Sequence, residues 1–509
     1  MSQIAEGLQF PVNPNTQKSS SSNTAKAIIA AALHPLDSNL GDQLTQEKNW
    51  RKNYPIYFKA LVEQGIKSTA YPIQIAEAGL NKAQESFEFY RDGHAYALKD
   101  LMQIPNIAQM HRYTLQGQST KAPEWYVPYH GRELRGAALL QQIDTWLTKG
   151  VIEKSHADAL RLVQAHPEWL DLSKRHMVLF GAGSEAGPLK WLAKWKANII
   201  AIDLPNPKVW KKIVDTVSAG NATLIAPSLT PLNEHTSATQ AIEQLGANLL
   251  TQTAEIAKWL SEQPEQLDLA AIAYLDGEKH VRVSMAMDSI MHQVSLQKPN
   301  SSLMYMCTPT DVYAVPAEVL ETTLAKAQQR SQLEKVCSKA IARLSRQHFF
   351  KAQPAQIYPS DNHKSYAIAD CIVVEQGPNY ALAKRLQQWR ATLARHQGQQ
   401  VSINIAPSTT THSVTKNPLL KAAFSGASLF DVEAFEPDTT NAIMAALWVH
   451  DLYNPQALAN PNNSLEHPLE LIMDAANHGG LWRVNYVARS ALPFAALYGF
   501  AKDKLHLKK

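Results

Sequence analysis

Apolar residues recur three and four positions apart from Trp50 to about residue 170. "NYPIYFKALVEQGI", "YPIQIAEAGLNKAQESFEFY" and "LRGAALLQQIDTWLTKGV" each gather them on one side of a 3.6-residue turn, which predicts amphipathic helices. "SHADALRLVQAHPEWL" continues the pattern, with Ser155 placed to cap it. Prolines, aromatics and a glycine in "APEWYVPYHGRELRG" (122–136) interrupt the helices. That stretch reads either as an aromatic-pinned connector or as a substrate-facing loop. Residues 13–25, "NPNTQKSSSSNTA", are small and polar and predict disorder, so residues 1–30 are set aside as a tail.

After Leu172 the rhythm changes to short apolar runs alternating with helical stretches. "HMVLFGAG", "ANIIAIDLP", "ATLIAPSL", "LAAIAYLDG", "SSLMYMCTPT", "DCIVVEQG" and "QVSINIAPS" are candidate strands, several of them apolar on both faces. Such strands suit a parallel sheet covered by helices on both sides. The expected fold class is α/β, a doubly wound parallel Rossmann-like sheet preceded by a helical N-terminal domain. The helical domain is expected over 31–170 and the Rossmann-like domain over 171–509. Within the latter, the long helical pattern of 317–350 marks an insertion, taken as 317–360, and a C-terminal substrate or lid segment follows. There is no internal repeat.

Composition narrows the function classes. The chain has 509 residues, 45% hydrophobic and 18% charged, with a formal net charge of +4 and no concentrated run of Lys and Arg. Nucleic acid is not an expected partner. Cys307, Cys337 and Cys371 are few and far apart, which fits a reducing cytoplasm better than a disulfide framework. "MSQIAEGLQF" lacks the marks of a secretory signal, and no run of about 18 apolar residues predicts a spanning helix.

The most informative stretch is "VLFGAGSEAGPLKWLAKWKANIIAIDLP", residues 178–205. A strand entering it must turn sharply at Gly181 and Gly183, while Gly187 would let the next helix press on the strand. A helix opening at this turn, beside Ser184, would aim its free N–H groups at a pyrophosphate. Asp203 closes the second strand, where a carboxylate can accept both adenosine ribose hydroxyls. The spacing is G-x-G-x-x-x-G, with Pro188 following at once. A plain structural turn is the alternative. If a dinucleotide binds, Asp203 would repel a 2′-phosphate and "LPNP" offers no arginine, so NAD is expected ahead of NADP.

A second stretch, "EQGPNYALAKRLQQWRATLARHQGQQVSINIAPSTTT" (375–411), places Tyr380 and Lys384 four apart on one helix face. An ammonium beside a phenol would lower the phenol's pKa, and such a tyrosine can exchange a proton with an alcohol or carbonyl oxygen. With the glycine turn, the acid after the second strand and the "AP" after the next strand, the chain resembles the short-chain dehydrogenase/reductase superfamily. The likeness covers about 175–415. "GAGSEAG" is similar to the family's first turn at Gly181 and Gly187, with Glu185 where its middle glycine is expected. "GPNYALAK" matches its tyrosine–lysine motif, and "CTPTDVYAVP" is similar to the hydroxyl-bearing end of the fifth strand in its extended branch. The resemblance implies a proton donor and acceptor at Tyr380, a partner at Lys384 that also holds the nicotinamide ribose, and a substrate-orienting hydroxyl at Thr308 or Thr310. In the family that hydroxyl and the tyrosine are much closer in sequence. If the insertion holds them apart here, Ser365 or Tyr366 would supply the hydroxyl, or none would.

Other residues carry weaker readings. Gly277 would allow close backbone approach to a cofactor; His280 and Arg282 read as surface residues or as phosphate contacts, and Asp276 as a helix cap. His467, Glu470, Asp474 and His478 lack a recognised ligand spacing, so no metal is expected. "NHGGLWR" reads as a structural turn or as a lid, and "VNYVARSALPFAALYGF" (484–500) as a surface docking on the domain or on another copy in a homo-oligomer. The sequence therefore points first to an NAD(P)-dependent oxidoreductase acting on a carbonyl or alcohol group of a small-molecule substrate, and the aromatics of the flanking segments suggest a bulky apolar one. A dinucleotide-binding sensor or assembly protein without turnover comes second. An S-adenosylmethionine-dependent methyltransferase comes third, since "HMVLFGAG" has no acid before Gly181.

Overall fold

A computed structural model describes residues 5–13, 15, 16, 18–233 and 236–504. Positions 1–4, 14 and 17 of the expected tail, and 505–509 of the C-terminal segment, lie outside the described residues. Strand Gly7–Gln9 lies antiparallel beside Glu88–Arg91, which pairs with His94–Ala97. Between them run α1 (Ser21–Leu33), α2 (Trp50–Ile66) and α3 (Tyr71–Ser86). The tail expected to be disordered is thus helical from residue 21. Ser20 caps α1 by accepting the Asn23 amide at 3.3 Å, and Ile28, Ile29 and Leu33 are fully buried. Composition alone reads a serine run as disorder, yet one serine opens a helix that has an apolar surface to pack on.

The chain then forms β1 (His111–Gln116), α4 (Gly136–Lys149) and α5 (Lys154–Ala165). From there it alternates: β2 (His176–Phe180), α6 (Leu189–Leu192), β3 (Asn198–Ile202), α7 (Pro207–Ser218), β4 (Thr223–Ser228), α8 (Thr253–Ser261), β5 (Leu267–Ala271), α9 (Glu278–Gln297) and β6 (Ser302–Cys307). The inserted segment follows as β7 (Val312–Pro316), α10 (Ala317–Gln329), α11 (Gln332–Leu344) and β8 (Ser365–Asp370). Helix α12 (Pro378–His396) and β9 (Val401–Ile405) complete the alternation, and α13 (Pro418–Ser425), α14 (Pro437–Tyr453) and α15 (Ala488–Lys504) close the chain.

The central sheet has seven strands in the order β9-β6-β5-β2-β3-β4-β1. Its strands are parallel except for β1, which is antiparallel to β4. Counted from β2, the parallel strands run 3-2-1-4-5-6, the doubly wound order with its crevice between β2 and β5. Six of the seven apolar runs are these strands. The seventh, "DCIVVEQG", is not. The strand there is β8, which ends at Asp370 and belongs to a small antiparallel sheet with β7 and Tyr358–Pro359. Cys371, Ile372 and Val373 are apolar because the loop that follows β8 is buried.

Alternate residues of β2 to β6 enter two cores. Val178, Phe180, Leu269 and Leu303 face one core together with α1, α2, α3, α8, α9 and α12. Met177, Leu179, Ala270 and Met304 face the other with α4, α5, α7 and α14. The N-terminal helices therefore share a core with the sheet, and β1 extends that sheet at one edge. The expected boundary near residue 170 is not a boundary between cores. The helical pattern expected from Trp50 to about 170 holds for α2, α3, α4 and α5, but Glu88–Arg91, His94–Ala97 and β1 are strands, and periodicity carries no information about which surface a helix covers.

The insertion leaves the sheet after β6 and returns to it at α12. Asp311, 1% exposed, fastens the return: its carboxylate accepts Arg385 Nη2 at 3.0 Å and Gln388 Nε2 at 3.0 Å from α12, and its own neighbour Val312 N at 2.7 Å. Removing one partner of a buried pair strands the other charge. Asp311→Ala is expected to lower the unfolding free energy by about 3–5 kcal/mol, measured by urea denaturation, with Asp311→Asn losing clearly less.

Candidate functional site

The turn after β2 begins at Gly181, whose amide donates to Ile202 O at 2.8 Å. Its φ is +85°, and a Cβ there would sit 2.6 Å from Ala273 Cα, so the glycine is required by the close approach of the turn to the segment after β5. Gly183 N donates to Asp203 Oδ2 at 2.8 Å, and Leu204 N to Asp203 Oδ1 at 2.8 Å. Burial raises the Asp203 carboxyl, and these two amides and Lys212 hold the rise in check. Gly187 meets only ordinary contacts, the nearest 3.4 Å from where its Cβ would lie, so packing does not demand a glycine there.

Two expectations about this turn need correction. The helix that follows, α6, is a single turn, Leu189–Leu192, preceded by Pro188. The Ser184 and Gly187 amides are spent on turn bonds to Gly181 O and Ser184 O. A full helix dipole aimed at a pyrophosphate is absent. The second concerns the cation near Asp203. The sequence neighbours offer none, but α7 brings Lys212, which donates to Gly183 O at 3.2 Å. A carboxylate that keeps its place at the end of β3 still fits a ribose, so the turn suits the sugar end of a dinucleotide better than its phosphates. The argument for NAD over NADP loses its force beside Lys212.

At the carboxyl ends of β5 and β6 a second group of side chains assembles. Thr308 follows β6 directly, and its hydroxyl lies 2.8 Å from that of Thr310, which in turn donates to Gln376 Oε1 at 2.5 Å. Tyr380 opens α12 behind Gly377 and Pro378, a proline that suits a first helical turn. Its hydroxyl interacts with Thr308. Burial pushes the phenol up to about 12, with the Thr308 contact pulling the other way. Lys384 Nζ donates to Met306 O at 3.0 Å and Gln387 Oε1 at 3.3 Å, and burial lowers its amine to about 8. The expected lowering of the phenol by Lys384 is not found: desolvation dominates both groups, and the ammonium is turned toward the carbonyl that ends β6.

The fold thus brings Thr308, Tyr380 and Lys384 together despite the insertion. Ser365 and Tyr366 lie elsewhere, on β8, where the Tyr366 hydroxyl accepts Asn362 Nδ2 at 2.9 Å. Gly277, at φ +63°, has nothing within 4 Å of where its Cβ would be, so the β5–α9 loop is open there. Asp276 does not cap α9; it accepts the Tyr274 hydroxyl at 3.0 Å.

His280 is not a surface residue. It is 1% exposed and its ring stacks on Tyr380, centroids 5.5 Å apart at 20°, with Tyr274 at 4.7 Å. Neither ring nitrogen has a hydrogen-bond partner, and burial together with Lys384 pushes its pKa well down. Arg282 is also largely buried, donating to Leu8 O at 2.6 Å. Periodicity gave no warning, because a polar residue on α9 reads as solvent-facing unless its neighbours are known. A further contact was missed: His412 N donates to Glu185 Oε2 at 2.8 Å, so the segment leaving β9 crosses the carboxyl ends to reach the glycine turn.

The remaining candidates hold structure. His467 and Glu470 serve local backbone amides, and His478 Nε2 lies 2.7 Å from Glu153 Oε1. Among the described residues no group of three or more His, Cys, Asp and Glu is arranged to hold a metal. In "NHGGLWR", Gly479 and Gly480 turn tightly beneath Glu433 and Asp431, and Trp482 is buried, which makes it a packed turn. Trp125 donates to Ala442 O at 3.0 Å and Tyr129 to Glu433 at 2.6 Å, pinning the 122–136 connector. No helix among the described residues is long and apolar enough to cross a membrane.

No protein-family model and no curated protein matches the chain. Among solved structures it is similar to the terminal R domain from the myxalamid PKS-NRPS biosynthetic pathway, at 14% identity and a TM-score of 0.28, over 60% of this chain and 68% of that one.

The lowered amine of Lys384 has a consequence for stability. Between pH 8 and its ordinary value of 10.5 the folded chain holds fewer protons at this site than the unfolded chain, so this group's contribution to stability rises with pH through that window. Lys384→Met removes the effect. Urea titrations are expected to show the variant gaining most over the wild type below pH 8, with the gain shrinking as pH approaches 10.5.

Proposed function

We propose that this chain is an oxidoreductase of short-chain dehydrogenase/reductase type, acting on a carbonyl or alcohol group with a nicotinamide dinucleotide. The observation that carries the reading is that the start of α12 lies against the carboxyl end of β6, with Lys384 Nζ donating to Met306 O at 3.0 Å, which sets Tyr380 and Thr308, from opposite ends of the insertion, on the same side of a doubly wound sheet. Asp203 and the turn at Gly181–Gly183 would hold the adenosine ribose, and the open loop at Gly277 would lie along the cofactor. The bound nicotinamide would supply or accept the hydride.

The chain's own residues handle the proton and the substrate oxygen. Thr308 donates a hydrogen bond that orients this oxygen. Tyr380, held neutral by its burial, gives its proton to a carbonyl oxygen as hydride reaches the carbon, and the product is an alcohol. Lys384, one helical turn along the same face and tethered to Met306 O, would hold the nicotinamide ribose.

Thermal unfolding with NADH and with NADPH tests the cofactor. A raised melting temperature with at least one is expected, and protection by S-adenosylmethionine alone would overturn the reading. With a carbonyl substrate in hand, Tyr380→Phe is expected to lower kcat about 10²–10⁴-fold while dinucleotide binding persists. Unchanged turnover removes Tyr380 from the reaction, and dinucleotide binding with no turnover of any carbonyl compound leaves a sensor.

A further inference from the structure

A cavity of 1730 Å³ opens away from the Tyr380 cluster, between the inserted helix α10, the end of α4, and α13 and α15. This exceeds the roughly 300–1,000 Å³ of an ordinary small-molecule site. Its wall carries Lys149, Lys326, Arg330, Lys421 and Lys502. Among the described residues none of these five forms an ion pair with a carboxylate; Arg483, also on the wall, is already paired with Glu153. Lys326 Nζ donates to Lys149 O at 2.8 Å, and burial lowers its amine, with Asp431 opposing and Arg483 adding to that lowering. Arg330 lies over the Tyr486 ring at 5.2 Å, and Lys502 reaches Ser425 O at 3.4 Å.

Four carboxylates share the wall, and two of them are hydrogen-bonded to neutral donors. Glu433 accepts the Tyr129 hydroxyl and the Trp146 indole, at 2.6 and 3.2 Å, and Asp503 accepts the Ser425 hydroxyl at 2.9 Å. Asp431 and Glu436 also face the cavity, so the wall sets five cations that have no carboxylate partner against four carboxylates. The cations come from four separate segments, so they surround a volume where a single surface salt bridge would need only one neighbour. Phe424 and Val432 add apolar wall between them.

We propose that this cavity binds an organic polyanion carrying two or more phosphate groups. Guanidinium and ammonium groups spaced around a groove match phosphates spread along one molecule. The site does not rest on the redox reading. It nevertheless adjoins that cluster: Trp482, next to Arg483, packs against Tyr313 with ring centroids 5.8 Å apart, and the Tyr313 hydroxyl donates to Thr308 O. From Arg483 on the wall, the packed path to Thr308 runs through the Trp482 and Tyr313 rings.

Inorganic tripolyphosphate and ATP serve as probes, titrated calorimetrically into the full chain in 50 mM and 300 mM salt. Saturable binding is expected, weakening at the higher salt. Lys326→Gln/Lys421→Gln is expected to weaken it at least tenfold. Lys48→Gln/Lys174→Gln, which removes the same charge from exposed positions elsewhere, should weaken it less than twofold. Asp203→Ala, at the glycine turn, should leave it intact. No saturable binding at low salt, or equal loss in the two lysine pairs, overturns the proposal. So does loss in Asp203→Ala with retention in Lys326→Gln/Lys421→Gln, which would assign the phosphates to the turn after β2.

Discussion

Asp311 carries a charge almost sealed from water, and the arrangement of everything around the carboxyl end of β6 follows from how that charge is met. Arg385 and Gln388 reach it from α12, and its neighbour Val312 gives the third hydrogen bond. A carboxylate in such surroundings tolerates no slack, because each lost donor leaves desolvated charge. The chain between Asp311 and Arg385 can therefore fold outward as two helices and a small sheet without displacing the start of α12. Tyr380 and Lys384 are set against Thr308 and Met306 O by this clamp, together with Lys384's own tether.

Much of the architecture was legible in the sequence for a simple reason. Strands covered on both faces must be apolar throughout, and six such runs stand out between polar, glycine-bearing turns. What failed was local reading of features decided at long range. "PLKWLAKWKA" has a helical pattern, but only Leu189–Leu192 is helical and the chain turns over 193–196, with Trp191 and Trp195 buried. "DCIVVEQG" is apolar in a buried loop. The serine run before α1 is polar, yet its cap and its apolar face hold it in place.

The candidate site divides the same way. Gly181, Asp203, Thr308, Tyr380 and Lys384 could be named because their spacing reflects positions on strands and helices. His280 could not, since its surroundings come from α12, a hundred residues on. Lys212 was passed over because the reading considered only the sequence neighbours of Asp203, whereas α7 folds it back against the turn. The direction of the Tyr380 shift was missed because the i, i+4 spacing shows that two groups share a face and says nothing about how much water either retains.

The antiparallel strand β1 has a consequence for how the molecule is made. It precedes its partner β4 by more than a hundred residues and belongs to the same sheet as the strands that follow it. During synthesis it emerges long before β4, with its backbone donors and acceptors open, and must be kept from wrong pairing until the third parallel strand appears. The converse holds for a fragment beginning at residue 171: it would carry every parallel strand yet bare the flank of β4, a template for sticking to its own kind. The first third of the chain thus acts as a built-in shield for the last two.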